Sequence, residues 1–190
     1  MKSDIQEIIG NKKIVNFIFR AIQEDNLAQA YFFIGAAHIG KALIAERMLM
    51  RIHDTDKVRE HPDIIWIERE IDSKTGQHKH EISVDQIRDL KARMTQTSFL
   101  SRRKSAVIND AHFLNPSAAN ALLKLLEEPS GQALILLISD QPDELPLTIR
   151  SRTQVLRFLS ATNEQLRTAG CSSKAITYAA GAPGLAISYN

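Results

Sequence analysis

The chain has 190 residues, enough for one complete domain and part of a second, and a chain of this length buries roughly 70% of its unfolded surface without covalent cross-links. Its single cysteine, Cys171, excludes both an internal disulfide framework and a cysteine-cluster zinc site within one chain. The net charge of +2 does not mark a nucleic-acid binder, and without a signal peptide or a bilayer-length apolar run the chain is expected to be soluble and cytoplasmic.

The first elements in chain order are two helices on either side of a short strand. Apolar residues at helical spacing predict a helix over residues 14–24, and the run AYFFIG predicts a buried strand. Helical spacing resumes from Lys41 to about Ile52. A strand, a glycine-containing turn and a helix in this order are the context that a phosphate-binding loop requires.

The turn itself reads GAAHIGKA and departs from the P-loop pattern at one position. Gly35, Gly40 and Lys41 keep their places, but Ala42 stands where a serine or threonine hydroxyl normally contacts the nucleotide's Mg²⁺. The turn either binds nothing, with Lys41 solvated, or retains weak ATP or ADP binding through backbone N–H groups, the helix N-terminus and Lys41. We expect no efficient hydrolysis in either case.

Strands and helices continue to alternate after the second helix. Ser83 and Gln86 have the spacing of a capping box that opens a helix from Val84 to about Thr97, and the polar segment at residues 69–81 before it predicts a loop or irregular hairpin. Further apolar runs predict strands at residues 62–68, 104–110, 133–139 and 153–158.

A last long helix is predicted from the run NPSAANALLKLLEEP. Asn115 can cap this helix, Pro116 suits its first turn, and Pro129 ends it. Repeated alternation of strand and helix favours an α/β fold with a mostly parallel sheet.

The composition changes near residues 159–162. The residues that follow are alanine-rich and helical in composition, and Gly170, Gly181 and Gly184 are expected to break them. We therefore place a domain boundary between residues 1–158 and 159–190.

The partner of a P-loop is an acidic residue at the end of a nearby apolar strand, and AVINDAHFLN is the candidate here. In the usual register Asn109 replaces the metal-binding aspartate, although Mg²⁺ strongly prefers a carboxylate at that position. Asp110 then replaces the glutamate that orients the attacking water. A register shifted by one makes Asp110 the metal ligand and leaves Ala111 as the base. Both registers weaken hydrolysis.

The segment NPSAANALLKLLEEPSGQALILLISDQPDELPLTIRSRTQVLRF resembles the most characteristic segment of bacterial clamp-loader ATPases, which are proteins of the AAA+ class. The opening IIGNKKIVNFIFRAIQEDNLAQAYFFIGAAHIGK, and then HPDIIWIE, ISVDQIRDL and VINDAHFLN, follow in that family's order. The resemblance implies a RecA-like P-loop AAA+ domain at residues 1–158, a partial or shortened helical lid at residues 159–190, and no C-terminal collar.

Within the family, the altered positions are similar in kind to those of the delta-prime class of DNA polymerase III clamp-loader subunits. That resemblance implies a non-motor subunit that helps load the sliding clamp onto primed DNA. The family's Ser-Arg-Cys motif appears as Ser151-Arg152-Thr153, so Arg152, with Ser151 beside it, is expected to be offered in trans to ATP on a neighbouring subunit. Without the family, Arg152 reads as a surface arginine in a salt bridge next to Arg150.

Other positions depart from the family's pattern. The four-cysteine zinc module is missing, so we expect no metal, and the histidines near it and in QHKH are expected to lie in surface loops: His53, His61, His78 and His80. Asp140, at the position that senses γ-phosphate, would repel phosphate, and the lid's sensor arginine is replaced near Gly184 and Leu185. These changes again weaken catalysis.

The partners implied by the resemblance are paralogous ATPase subunits of the tau/gamma type, the delta subunit, the sliding clamp, and primed DNA reached through the assembled complex. A small basic cluster predicts at most weak direct DNA contact and is otherwise a solvated helix end and loop: Lys91, Arg93, Arg102, Arg103 and Lys104. Two alternatives remain, a tau/gamma-type subunit that hydrolyses ATP despite Ala42, and an interaction module that has left replication.

Overall fold

The computed structural model describes residues 8–128 and 132–189, in which five strands form one parallel sheet. The strands are β1 (Ala30–Ile34), β2 (Ile64–Ile67), β3 (Lys104–Ile108), β4 (Ala133–Ser139) and β5 (Gln154–Arg157). Their order across the sheet is β2-β3-β4-β1-β5, and every neighbouring pair is parallel. The predicted α/β class with a parallel sheet is confirmed.

Helices connect the strands and cover both faces of the sheet. In the described part of the chain they are α1 (Lys12–Gln23), α2 (Lys41–His53), α3 (Val84–Thr95), α4 (Pro116–Glu127), α5 (Leu147–Arg150), α6 (Asn163–Thr168), α7 (Ser173–Ala179) and α8 (Pro183–Ser188). Short 3-10 turns lie at Ala111–Phe113 and Pro142–Glu144. The four long helices were predicted; α5 and the 3-10 turns were not, because a single turn carries too little periodicity to be recognised.

Side-chain caps fix the starts of α3 and α4 as the sequence predicts. Ser83 Oγ accepts from the N–H of Gln86 at 3.4 Å, and Gln86 Oε1 accepts from the N–H of Ser83 at 3.0 Å. Asn115 Oδ1 accepts from the N–H of Ala118 at 2.8 Å. Helix α3 ends two residues before the prediction because Gln96 has an extended backbone. Pro129, predicted to end α4, lies outside the described residues.

Alternate side chains of the strands supply two separate cores, one on each face of the sheet. Phe32, Ile108 and Ile135 pack with α3 and α4 on one face. Tyr31 and Phe33 pack with α1 and α2 on the other face. Central strands buried on both faces explain why the runs AYFFI and ALILLIS are continuously apolar rather than alternating.

The last three helices form a third, small core around Leu166, Ile176 and Ala186. Gly170 and Gly181 end helical segments with φ of +86° and +84°, as predicted. The predicted break at Gly184 is wrong, because Gly184 is the second residue of α8, directly after Pro183 at its first position. The polar segment at residues 69–81 forms a loop with one antiparallel bridge, between Ile71 and His78.

His53 is not the surface-loop histidine that we predicted. It is the last residue of α2 and is 7% exposed, with Nδ1 2.7 Å from Ser101 Oγ and Nε2 2.8 Å from Ser105 Oγ. The physical reason is helical spacing, since Ala45, Leu49 and His53 recur every four residues on the buried face of α2. Burial lowers the pKa of His53 to about 4.

Asp63 holds the loop that carries Ser101 in place. Its fully buried carboxylate accepts from the N–H groups of Phe99, Leu100 and Ser101 at 2.7, 2.8 and 2.9 Å. Burial by itself raises the pKa of Asp63, but these three donors together bring it below its ordinary value. The side chains of Phe99 and Leu100 remain exposed.

The basic cluster is not uniformly a solvated helix end and loop. Lys104, the first residue of β3, is buried, and its Nζ donates to the carbonyl of Arg93 at 2.7 Å. Arg103 is largely buried and pairs with Asp25 at 2.9 Å. Two cations of the cluster therefore have partners within the fold.

Candidate functional site

A cavity of about 570 Å³ opens at the carboxyl edge of the sheet. It is bordered by the loop after β1, the start of α2, the residues after β3 and β4, and the first turn of α8. The predicted site residues that line it are Gly40, Lys41, Ala42, Asn109 and Asp110. In open parallel sheets, ligands bind at this edge, so the fold places these residues where a ligand site is expected.

Gly35 shapes the loop at the entrance to α2. Its φ is +141°, and a Cβ built on it would lie 2.4 Å from the carbonyl oxygen of Phe158, just past the end of β5. The next turns of the loop also use left-handed backbone, with φ of +58° at His38 and +92° at Gly40. Gly35 is thus required for packing the loop against the sheet and does not itself line the cavity.

Lys41 is not solvated. Its side chain is buried, and Nζ donates to the carbonyls of Gly35 and Ala36 at 2.7 and 2.5 Å. Burial lowers the pKa of Lys41, while the charges of Asp140 and Asp110 act in the opposite direction. Two of the three N–H donors of the ammonium group are therefore bonded to carbonyls of its own loop.

Three residues stand at the positions where the sequence pattern predicts contacts with Mg²⁺ and its water: Ala42, Asn109 and Asp110. Ala42 offers a methyl group, and Asn109, directly after β3, offers a neutral amide, with its backbone N–H bonded to Ile67 O at 2.9 Å. Asp110 has left-handed backbone (φ +51°) and starts the 3-10 turn, and Ala111 is buried there. The described residues contain no group of three histidine, cysteine or acidic side chains that could hold a metal ion.

Asp140 follows β4 and faces the cavity beside His112. Ser139 Oγ lies 3.1 Å from His112 Nδ1 and accepts from the N–H of Gln141 at 2.9 Å. Asp140 Oδ1 lies 3.5 Å from the same ring nitrogen, is buried, and makes no hydrogen bond. Asp140 thus lines the cavity, and the expectation that it repels phosphate stays a prediction.

The cavity also touches α8, the last helix. The N–H of Gly184 donates to the carbonyl of His38 at 3.0 Å, so α8 is bonded directly to the loop after β1. A Cβ at position 184 would lie 3.0 Å from that same oxygen. The resemblance implies a sensor arginine near this position, and here Gly184 instead packs closely against the backbone of His38.

Arg69 lines the cavity but was not singled out from the sequence. Its guanidinium lies 3.7 Å from the centre of the Phe113 ring. Ile67 of β2 is in register with Ile108 of β3, so Arg69 stands level with Asp110, two residues beyond each strand. The pairing of β2 with β3, which is visible only in the structure, is what brings Arg69 to this edge.

Ser151 and Arg152 lie apart from the residues that line the cavity. Arg152 follows α5, and its Nη2 is 2.8 Å from Glu127 Oε1, with 38% and 49% of the two side chains exposed. Its Nη1 donates to the carbonyl of Thr148 at 3.0 Å. The neighbouring Arg150 instead pairs with Asp143 at 2.8 Å. In the isolated chain Arg152 is therefore a surface arginine in a salt bridge, which is the interpretation that the sequence gives without the family.

No helix in the described ranges is long and apolar enough to cross a bilayer.

A family model described as "DNA polymerase III, delta subunit" matches residues 10–162. The DNA polymerase III subunit delta' of Pseudomonas aeruginosa is 40% identical over 141 residues, which are 66% of this chain and 41% of that protein. The delta' subunit of Bacillus subtilis is 29% identical over 153 residues, covering 77% and 46%. The tau subunit of Bacillus subtilis is 26% identical over 177 residues, covering 85% and 30%. The chain thus spans less than half the length of these relatives.

Solved structures share the fold. A gamma subunit-related protein of Thermotoga maritima superposes with a TM-score of 0.67 at 20% identity, covering 86% of this chain and 52% of that one. The RuvB branch migration motor of the same organism gives 0.62 at 17% identity, covering 95% and 60%.

Proposed function

Because the chain belongs to the DNA polymerase III delta-subunit family and resembles clamp-loader subunits of the delta' type, we propose that it is a non-motor subunit of a cytoplasmic clamp loader. In this proposal the subunit assembles with tau/gamma-type ATPase subunits and a delta subunit. The complex loads a sliding clamp onto primed DNA during replication. Arg152 contributes as an arginine finger to the ATP site of a neighbouring subunit.

The observation that carries the proposal is the separation between Arg152 and the chain's own cavity. The cavity has an alanine and an asparagine in place of metal ligands, and Asp140 faces it. Arg152 lies outside it on a partly exposed helix end. Because Arg152 does not line the chain's own cavity, in this proposal it serves the ATP site of a neighbouring subunit.

We propose that the chain binds ATP or ADP weakly, turns ATP over slowly or not at all, and holds no zinc. The purified chain should show little Mg²⁺-dependent ATP hydrolysis. Turnover that is abolished by Lys41→Ala would instead identify a motor subunit of the tau/gamma type.

The trans role of Arg152 is tested in a clamp loader reconstituted with its partner subunits. The other ATP sites carry inactivating P-loop lysine substitutions, so the turnover that remains comes from the site facing this chain. Arginine fingers contribute about 10³–10⁵-fold to turnover, so Arg152→Ala should nearly abolish it. Arg150→Ala is the matched control, because Arg150 has its own partner in Asp143. Unchanged turnover with Arg152→Ala removes the proposal.

A further inference from the structure

The guanidinium of Arg152 is occupied by this chain itself. Glu127 holds Nη2 at 2.8 Å, and the carbonyl of Thr148 holds Nη1 at 3.0 Å. Ser151 Oγ adds a longer contact with Nη1 at 3.5 Å. Both terminal nitrogens therefore already have partners within the chain, which a phosphate bound there would compete with.

The position of Glu127 explains why a carboxylate there holds a cation. It is the last residue of α4, where the unpaired carbonyls of the helix end make a negative charge unfavourable. The guanidinium of Arg152 offsets the charge of the Glu127 carboxylate and the partial negative charge of the helix end. Glu128, the next residue, is exposed and forms no ion pair within the described ranges.

We propose that Glu127 positions Arg152 in a resting conformation and competes with the γ-phosphate of the neighbour's ATP for the same guanidinium. This inference rests on the proposed trans role of Arg152. Arrival of ATP across the interface then exchanges one anion for another on Arg152. The carboxylate carries one negative charge, and the terminal phosphate offers more charge and three acceptor oxygens, so the exchange favours ATP.

The strength of the contact suits such an exchange. About two-fifths of the Arg152 side chain and half of the Glu127 side chain are exposed, so the ion pair is screened by water and salt. Exposed pairs of this kind change an equilibrium by about two- to fivefold. Glu127 therefore weakens the binding of Arg152 to the neighbour's ATP without preventing it.

The test compares Glu127→Gln with the matched variant Glu128→Gln in the same reconstituted complex. Glutamine keeps the size of the side chain and removes its charge. Because Arg152 leaves Glu127 when ATP binds, Glu127→Gln should lower KM for ATP about two- to fivefold and leave kcat within about twofold. The difference in KM between Glu127→Gln and wild type should shrink as the NaCl concentration is raised. Glu128→Gln should have the KM of wild type.

Several results would overturn the proposal. KM unchanged or raised by Glu127→Gln shows that Glu127 does not compete with ATP. A fall in kcat shows that Glu127 supports the engaged conformation instead, and the same effect from Glu128→Gln shows a general charge effect.

The isolated chain gives an independent measurement. A double-mutant cycle of Glu127→Gln and Arg152→Gln, read by urea unfolding, should give a measurable coupling that weakens with salt. If the changes in the free energy of unfolding are additive, Glu127 and Arg152 do not interact in the resting chain, and this result does not require the complex to assemble. Failure of the trans role itself would appear separately, as full activity of Arg152→Ala.

Discussion

Replacing His53 with glutamine should make the stability of the chain much less dependent on pH. The His53 ring is enclosed between two serine hydroxyls at the end of α2, and burial lowers its pKa from 6.5 to about 4. The nearby His61 ring, 5.0 Å away, acts in the same direction, while Asp63 opposes it. The folded protein therefore holds His53 neutral.

The sign of the effect follows from proton uptake. Between about pH 4 and pH 6.5 the unfolded chain protonates His53 and the folded chain does not, so the free energy of unfolding rises with pH in this window. The stabilisation is present in full above pH 6.5 and is lost as the pH falls toward 4. The shift corresponds to about 3 kcal/mol in total, and to about 2 kcal/mol at pH 5 relative to pH 7.5.

Urea unfolding at pH 7.5 and pH 5.0, followed by the fluorescence of the single tryptophan, measures this difference. From pH 7.5 to pH 5.0, the free energy of unfolding of wild type should fall by about 2 kcal/mol more than that of His53→Gln. His78→Gln, which removes an exposed histidine, should behave as wild type. Equal pH dependence for wild type and His53→Gln would refute the assignment of the buried neutral ring.

Three further substitutions test other parts of the fold. Asp63→Asn places an amide among three N–H donors and should lower the free energy of unfolding by about 2–4 kcal/mol, whereas thermal melting near the wild-type temperature would argue against the buried carboxylate. Gly35→Ala would put Cβ 2.4 Å from the Phe158 carbonyl and should prevent stable folding, which circular dichroism would detect; a folded variant contradicts the close packing. Gly184→Ala should loosen the contact with the His38 carbonyl and speed hydrogen exchange of the 184 amide, and unchanged protection would count against that contact.

The long elements could be predicted because their apolar spacing, caps and turn residues agree with one another. The run ALILLIS, the capping box at Ser83 and the cap at Asn115 all appear in the structure as read. Short elements were missed, since the single turn of α5 is fixed by its surroundings rather than by its own pattern.

The site was predictable in its composition and less so in its contacts. The sequence placed Lys41, Ala42 and Asn109 around one cavity, but it could not show that Lys41 bonds the carbonyls of its own loop. The contact between Arg152 and Glu127 joins residues from two elements, and no local pattern encodes it. Only the tertiary arrangement brings such pairs together.

The strand order has a consequence for how the chain folds during synthesis. The partners of β1 lie far downstream, since Ala30 pairs with Ile135 about 100 residues later and Tyr31 pairs with Gln154 later still. At about 5–20 residues per second, roughly 5–20 s pass between the synthesis of β1 and that of β4, its first neighbour. Through that interval the five consecutive apolar residues of β1 lack both of the strands that flank them in the folded sheet.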